Sequence, residues 1–176
     1  QRARDGRNMW NLEQTDRAFT AIDSLVALAF ETAPQSQQTE HLIVDSLRKR
    51  RKLSLSLIAE DAGELFGCIS FSPITINGKA CKWFGLGPVA VTPDRQGMGI
   101  GSELIQSGMR HLRADDARGC VVLGEPDYYG RFGFAPLPDL KLEGVPDQYF
   151  MARTLVDEIP AGQVEYDPAF DVTENK

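Results

Sequence analysis

The chain has 176 residues, of which 42% are apolar and 25% are charged, a length that suits one domain with its own core. Its formal net charge of -6 disfavours a general affinity for nucleic acid or anionic lipid, because both need a basic protein surface. No apolar run reaches the roughly 20 residues of a membrane-spanning helix, so we expect no membrane partner. The predicted domain covers residues 1–176, with flexible ends at 1–7 and 171–176, and its expected ligands are small molecules.

The first two predicted elements are helices. Residues 15–30 carry apolar side chains at helical spacing behind the capping residues Thr15 and Asp16, and a second helix is predicted from about Thr39 to Lys49. The basic run Arg48 to Lys52 lies at the end of this helix. We interpret the run as cations that complement the helix dipole, in preference to a nucleic-acid contact.

Three predicted strands follow. Leu53 to Ala59 shows alternating apolar residues, and Asp61 to Gly63 forms a turn into a strand from about Glu64 to Ile76. The pair Asn77-Gly78 readily takes the positive φ values of a type I′ hairpin turn. The strand from about Lys79 to Val91 is therefore predicted to return antiparallel.

The last of these strands contains an irregularity. Gly85, Gly87 and Pro88 lie inside it, and Pro88 cannot donate a hydrogen bond to a neighbouring strand. We therefore expect a bulge or a splay at this point of the sheet.

A helix and further strands complete the predicted fold. Apolar positions on one face predict a helix that ends at about Ala117, and the apolar run Cys120 to Leu123 is typical of a strand covered on both faces. A strand, helix and strand in this order predict a right-handed crossover with parallel strands. Further strands are predicted at Tyr149 to Leu155 and near Val164 to Tyr166. The pattern indicates an α/β fold with a mixed sheet.

The three cysteines, Cys68, Cys81 and Cys120, are odd in number and lie in apolar stretches. This argues against a disulfide framework and favours buried free thiols in a reducing cytoplasm. Residues 1–7 are polar and basic with no apolar segment behind them, so we expect no secretory signal and a cytoplasmic location.

Three alternate glycines, Gly97, Gly99 and Gly101, lie between a predicted strand and a predicted helix start. Glycine there lets backbone N–H groups close on a bulky anion at the positive end of a helix, which suits a pyrophosphate. A nucleoside-triphosphate loop is excluded, because Ser102 and Glu103 follow the last glycine where Lys and Ser/Thr are needed. A dinucleotide fingerprint is a weak match, since the glycines alternate behind an antiparallel strand. A packing role for the glycines stays open.

Two segments carry a resemblance to a known family. Gln96 to Gly101 fits the Gln/Arg-x-x-Gly-x-Gly/Ala signature of the GNAT superfamily of N-acetyltransferases, and Tyr128 to Phe134 looks like the family's Tyr-x-x-x-Gly-Phe segment. Val89 to Val91 stands where the family has the strand that pairs with the pantetheine arm of CoA. Tyr149 to Met151 and Val164 to Phe170 look like the YhbS-like bacterial branch.

The resemblance implies a GNAT-like fold, in which a single mixed, mostly antiparallel sheet is splayed in the middle and flanked by helices. It implies acetyl-CoA as cofactor, with CoA as product and no metal. Backbone groups of Val89 and Val91 would hold the acetyl carbonyl and the pantetheine, and Gly97 to Ser102 would hold the pyrophosphate. The implied cofactor-binding residues are Val89, Ala90, Val91, Gln96, Gly97, Met98, Gly99, Ile100, Gly101 and Ser102.

The chemistry is direct attack of a neutral amine on a thioester, which needs a base for the amine and gains from an acid for the departing thiolate. By resemblance, Tyr129 occupies the position of this acid, four residues before Gly133, and Tyr128 is the next candidate. A phenol with a pKa of about 10 can protonate a thiolate whose conjugate thiol has a pKa of about 8.5. Candidates for the base are Glu125 and Glu60, directly or through a water. A packing role for Tyr129 stays open.

Other reactive side chains are read as structural. His41 and His111 lie on predicted helices without a partner at catalytic spacing, so we expect surface residues, and no metal-ligand cluster is present in the sequence. An acyl-carrying Cys81 or Cys120 is disfavoured, because a thioester donor needs no covalent intermediate. Arg131 is expected to anchor a loop or a phosphate.

The predicted function is transfer of the acetyl group of acetyl-CoA to a primary amine of a small-molecule or protein acceptor in a ternary complex. The alternative is a non-catalytic, CoA-binding regulatory module of the same fold. The acidic balance would favour a cationic acceptor by electrostatic steering. Exposed edge strands leave a homodimer open.

Overall fold

The structure is a computed structural model, which describes residues 2–3, 10–14, 19–31 and 40–171. Its helices are α1 (Phe19–Phe30), α2 (Glu40–Lys49), α3 (Ile100–Ala114) and the one-turn α4 (Pro126–Tyr129). Its strands are β1 (Arg2–Ala3), β2 (Trp10–Gln14), β3 (Leu55–Asp61), β4 (Glu64–Ile76), β5 (Lys79–Val91), β6 (Gly119–Leu123), β7 (Leu140–Lys141), β8 (Phe150–Thr154) and β9 (Gly162–Glu165).

The strands form a mixed sheet in the order β1-β2-β3-β4-β5-β6-β8. The step from β5 to β6 is parallel, as predicted from the crossover through α3, and the other steps along this path are antiparallel. Strand β9 pairs antiparallel with the far end of β4 and parallel with β7. This arrangement brings the C-terminal segment beside the centre of the sheet.

The hairpin between β4 and β5 confirms the prediction from sequence. Asn77 and Gly78 have φ values of 52° and 76°, as a type I′ turn requires. The same chemistry closes the turn between β3 and β4, where Ala62 and Gly63 have φ values of 51° and 80°. Both strands of the hairpin begin and end where the sequence placed them.

Helices cover the two faces of the sheet. Helix α3 packs Leu104, Ile105 and Met109 on one face, and α1 and α2 pack Val26 and Val44 on the other. Strand β3 is consequently buried on both faces over its first five residues, so the Ser56 and Ile58 positions are as buried as their neighbours. Gly108 of α3 lies directly against the Phe71 ring and leaves no space for a side chain.

The predicted irregularity in β5 is confirmed, and it opens the centre of the sheet. Between the pairs Ile69↔Val89 and Phe71↔Leu86, β5 has one residue more than β4, which is a bulge. On its other side, β5 pairs with β6 as far as Gly85↔Val121. Beyond that pair the two strands part, so backbone groups of the last part of β5 face a gap.

Some elements differ from the expectation. Strand β2 was not predicted, because Trp-Asn-Leu-Glu-Gln lacks β-branched residues and its order comes from pairing with β3. Helix α3 ends at Ala114, since Asp116 takes a left-handed φ of 62° that stops the helix before Ala117. Thr15 and Asp16, the predicted caps, lie outside the described residues. At the ends expected to be flexible, Arg2–Ala3 pairs with β2 and Asp171 closes a 3₁₀ turn.

Candidate active site

The glycine loop, Gln96 to Ser102, joins β5 to α3. Gly97 and Gly99 have φ values of 81° and 83°, a left-handed conformation that residues with side chains rarely adopt. Nothing lies within 4 Å of a Cβ built on either glycine, so the backbone conformation, and not crowding, selects glycine at both positions. The loop therefore presents bare backbone to its surroundings.

The start of α3 provides hydrogen-bond donors at this loop. Gly99 is the residue before the helix, and the Glu103 N–H donates the first bond of the helix to the Gly99 carbonyl at 3.0 Å. The amides of Ile100, Gly101 and Ser102 precede that bond, so they lie at the positive end of the helix dipole. Open glycines beside three such amides form a cradle for an anion.

Gln96 holds the loop in place. Its side-chain Nε2 donates a hydrogen bond to the Val91 carbonyl at 3.0 Å, which ties the loop to the end of β5. Gln96, which was predicted as a cofactor-binding residue, therefore has its side-chain amide engaged within the protein. Met98, by contrast, is 58% exposed.

Tyr128 and a group of arginines lie next to the glycine loop. A Cβ at Gly101 would come within 2.9 Å of the Tyr128 hydroxyl oxygen, and the Arg131 guanidinium lies 4.8 Å from the centre of the Tyr128 ring. A cleft of about 610 Å³ begins at Arg131, and its cationic residues are Arg110, Arg113, Arg131 and Arg153. Arg110 and Arg113 lie near the end of α3 and Arg153 lies in β8, so Arg131 is the member of this arginine cleft that lies beside the loop, through Tyr128.

A cavity of about 950 Å³ lies where β5 and β6 part, and we call it the central cavity. Its strand-derived wall consists of Leu86, Gly87, Pro88, Val89 and Leu123. Two phenols, Tyr129 and Tyr166, also line it. Its carboxylates are Glu40, Glu143, Glu165 and Asp171, and no basic residue is among the described residues that line it.

Tyr129 connects the end of β6 to this cavity. The Tyr129 ring lies against Gly124, the residue after β6, and a side chain at Gly124 would collide with the ring. The ring makes edge contacts with Tyr128 and Phe134, at centroid distances of 5.0 and 6.1 Å. Burial, followed by the proximity of Tyr128 and Cys120, raises the pKa of Tyr129 well above its usual range. The phenol therefore stays protonated and can donate a hydrogen bond.

Comparison with known proteins identifies the family. The model of the acetyltransferase (GNAT) domain matches residues 13–137. The chain belongs to the GNAT family of acetyltransferases. It is 31% identical over 157 residues to the uncharacterized N-acetyltransferase YhbS of Escherichia coli K12, covering 85% of this chain and 91% of that protein.

Solved structures support the same assignment. The chain is 40% identical to a GNAT family acetyltransferase from Brucella melitensis in complex with acetyl-CoA, with a TM-score of 0.83 over 92% of this chain and 98% of that one. It superimposes on Escherichia coli YhbS in complex with CoA with a TM-score of 0.88 at 28% identity, over 98% and 97% of the chains. The predicted membership of the YhbS-like branch and the predicted GNAT fold are confirmed.

The two carboxylates predicted as base of this GNAT protein lie outside the central cavity. Glu125 is exposed at the start of α4, where its backbone carbonyl accepts hydrogen bonds from the Tyr128 and Tyr129 amides. Glu60 lies near the end of β3, beside a register shift. Glu165 and Tyr166 line the cavity instead, and sequence reasoning had read them only as part of a C-terminal strand.

The remaining candidates have structural surroundings. None of the three cysteines forms a disulfide, as predicted; Cys68 and Cys120 are buried and Cys81 is half-buried. Burial raises the pKa of the Cys120 thiol well above its usual range, so Cys120 is a poor nucleophile. His41 and His111 are half-buried and not fully on the surface, and His111 Nδ1 lies 2.8 Å from the Ser107 carbonyl oxygen.

The basic run Arg48 to Lys52, at the end of α2, makes ion pairs. Lys49 pairs with Asp45 at 2.9 Å inside the last turn of the helix, and Arg50 pairs with Asp167 at 2.7 Å. Part of the run thus fastens the C-terminal segment to α2. In the described ranges, no group of three metal-binding side chains is found and no helix is long and apolar enough to span a membrane.

Proposed function

We propose that this chain transfers the acetyl group of acetyl-CoA to a primary amine by direct attack within a ternary complex. The observation that carries the proposal is that the glycine loop and the central cavity both adjoin the last part of β5. The glycine loop and its helix amides lie at the end of β5, and the same strand, a few residues earlier, forms the wall of the central cavity with Tyr129. A thioester donor with a pyrophosphate arm fits both features at once.

Binding of the donor would use backbone groups. The amides of Ile100, Gly101 and Ser102 would hold the pyrophosphate, and Arg131 would add positive charge beside it. Val89 and Val91 lie beyond the last pair of β5 with β6, and we propose that their backbone groups pair with the pantetheine arm and hold the acetyl carbonyl. Acetyl-CoA supplies the activated acetyl group.

Tyr129 would act as the general acid. Attack by the amine breaks the C–S bond, the bonding electrons pass to sulfur, and Tyr129 donates its proton to the resulting thiolate. Burial keeps the Tyr129 phenol protonated until the thiolate forms. Because the same rise in pKa makes the phenol a weaker acid, the transfer requires the thiolate charge to develop next to the hydroxyl. The tyrosinate is then reprotonated by the proton that the amine loses, directly or through solvent.

Two carboxylates, Glu125 and Glu165, are candidates for the base that takes the proton of the amine. Glu125 remains a candidate through a water, and Glu165 joins it because Glu165 lines the central cavity. Glu165→Gln should lower the rate of acetyl transfer more than Glu125→Gln if the cavity carboxylate takes the proton. The opposite ranking would restore Glu125.

The acceptor is proposed to be a cationic amine. The central cavity carries four carboxylates and no arginine or lysine among its described lining residues, while its walls include apolar side chains such as Phe30 and Ile43. An amine attached to an apolar body, on a small molecule or a protein, suits such walls. Cysteines without disulfides suit a cytoplasmic location. A homodimer could form by pairing of sheet edges from two copies of the chain.

Release of CoA thiol in the presence of a panel of amines tests the proposed function. The panel should contain amines with apolar, polar and acidic bodies, and the control is the same mixture without acceptor. We expect faster thiol release with cationic, apolar amines than with acidic ones. Binding of acetyl-CoA without thiol release for any amine would instead support a non-catalytic CoA-binding module.

A further inference from the structure

Tyr166 occupies the point where the two central strands part. It follows β9, and its ring lies against Gly85, where a Cβ would come within 2.7 Å of Tyr166 Cε2. Gly85 forms the last pair of β5 with β6, opposite Val121. The glycine therefore admits the Tyr166 ring to the centre of the sheet.

The Tyr166 hydroxyl has an unusual position. Its oxygen is buried in the wall of the central cavity and has no hydrogen-bond partner among the described residues. A buried hydroxyl without a partner is unfavourable, and buried polar groups in proteins are nearly always hydrogen-bonded. A ligand that reaches this wall of the cavity would supply the partner that the hydroxyl lacks.

Tyr166 and Tyr129 converge on the same region. The ionisable side chains that interact with the Tyr166 hydroxyl are Cys120 and Tyr129. Burial, followed by these two neighbours, raises the pKa of Tyr166 well above its usual range, so Tyr166 remains a hydrogen-bond donor at alkaline pH. Cys120 is a neutral thiol whose Sγ donates to the Val121 carbonyl oxygen, so it places no negative charge beside the two phenols.

The C-terminal segment is held firmly enough to position this phenol. Arg50 Nε donates a hydrogen bond to Asp167 Oδ1 at 2.7 Å, and the Ala169 amide donates to the same oxygen at 2.9 Å. The Tyr166 ring also makes an edge contact with Phe170, at 4.9 Å between centroids. These contacts fix Asp167, the residue after Tyr166, relative to Arg50 at the end of α2, and they hold the Tyr166 ring against Phe170.

We propose that the Tyr166 hydroxyl donates a hydrogen bond to the sulfur of bound CoA, as a second phenol beside Tyr129. This inference rests on the proposed function. When the C–S bond breaks, Tyr129 transfers its proton to sulfur, whereas Tyr166 keeps its own proton and stabilises the negative charge that develops there. The orphaned hydroxyl thereby gains the partner that the protein itself does not provide.

Calorimetric titration with CoA and with desulfo-CoA, which lacks the sulfur, tests the inference. We would compare the unmodified chain, Tyr166→Phe and the control Tyr149→Phe at a pH of about 9, where a large part of a thiol with a pKa of about 8.5 is ionised. Phe keeps the ring against Gly85 and removes only the hydroxyl. Tyr149 is 38% exposed and does not line the central cavity, so its variant measures the general effect of losing a phenol oxygen.

The inference predicts that Tyr166→Phe binds CoA about tenfold more weakly and binds desulfo-CoA unchanged, because a hydrogen bond to a charged sulfur is lost. Tyr149→Phe should bind both ligands as the unmodified chain does. Equal CoA binding by Tyr166→Phe and the unmodified chain, or an equal loss with both ligands, would overturn the inference. Failure of the unmodified chain to bind CoA would instead refute the proposed function.

A second measurement uses the unmodified chain alone, so it does not require that a variant folds. The ultraviolet absorbance of the thiolate reports the pKa of the CoA thiol when it is bound to the unmodified chain. Two donated hydrogen bonds favour the charged form, so this pKa should lie below that of free CoA. A bound thiol with an unchanged or raised pKa would contradict the assignment.

Discussion

The glycine loop and the central cavity are built in different ways. The loop uses consecutive residues, and its essential features are the positive φ values of Gly97 and Gly99 and the helix amides behind them. The cavity collects side chains from distant parts of the chain, for example Phe30 of α1, Pro88 of β5 and Phe170 of the C-terminal segment. A backbone site is therefore encoded locally, whereas the shape and charge of the cavity depend on tertiary packing.

The largest expected effect concerns the glycine loop. Changing both Gly99 and Gly101 to Val should weaken acetyl-CoA binding more than about 100-fold, because Val disfavours the left-handed φ at position 99 and crowds the helix start. Calorimetry measures the loss. Gly78→Val is the matched control, since Gly78 has a similar left-handed φ of 76° at the opposite end of β5. Equal affinity in the double variant would remove the loop from the site.

A smaller but specific effect is expected in the central cavity. Tyr129→Phe should lower kcat about 100-fold and leave acetyl-CoA affinity nearly unchanged, because the phenol would act on the departing thiolate. Steady-state thiol release with a reactive amine measures the effect. An unchanged kcat would assign Tyr129 to packing, and Tyr149→Phe controls for loss of a phenol elsewhere.

A smaller effect on acetyl-CoA binding is expected at Arg131, which lies beside the glycine loop. Its guanidinium stacks on Tyr128, which lies against Gly101 of the loop. Arg131→Ala should weaken acetyl-CoA binding about 3- to 10-fold, and the deficit should shrink as salt is added. Lys79→Ala, which removes a cation from the tip of the hairpin, should have no such effect. A salt-independent loss would indicate a packing role for Arg131.

The smallest effect is expected where the C-terminal segment is fastened to α2. Burial would raise the pKa of Asp167, but the hydrogen bonds from Arg50 and Ala169 and the Arg50 charge outweigh it and leave this pKa below its usual value. The ion pair therefore stabilises the fold above the ordinary pKa of Asp, and the stabilisation is lost as the pH falls through the lowered value.

Asp167→Asn should accordingly lower the Tm by about 2 to 4 °C at neutral pH, with a difference that vanishes in acid. Thermal unfolding followed by circular dichroism over a pH series measures it. Asp157→Asn, at an exposed loop position, provides the control. A deficit that persists in acid would show that charge pairing is not the cause.

The elements that sequence reasoning predicted well have strong local signals. Asn77-Gly78 specified the hairpin, and Gly85, Gly87 and Pro88 specified the bulge, because these residues restrict the backbone wherever they occur. The glycine loop was found for the same reason. Such positions can be recognised without knowledge of the tertiary structure.

The parts that were missed depend on distant partners. Strand β2 lacks β-branched residues and exists through its pairing with β3. Tyr166 contacts Gly85 across the sheet, and no feature of its local sequence reveals that it lines the cavity. Glu125 was chosen as base from its position after β6, and that position alone does not reveal that the residue is exposed and outside the cavity lining. The assignment of the base stays a prediction.

A crystal structure of the chain with acetyl-CoA is the most direct test of the whole account. The account predicts the pyrophosphate on the amides of Ile100, Gly101 and Ser102, and the thioester between β5 and β6 within hydrogen-bond distance of the Tyr129 hydroxyl. A pyrophosphate bound away from these amides, or a thioester sulfur out of reach of Tyr129, would contradict it.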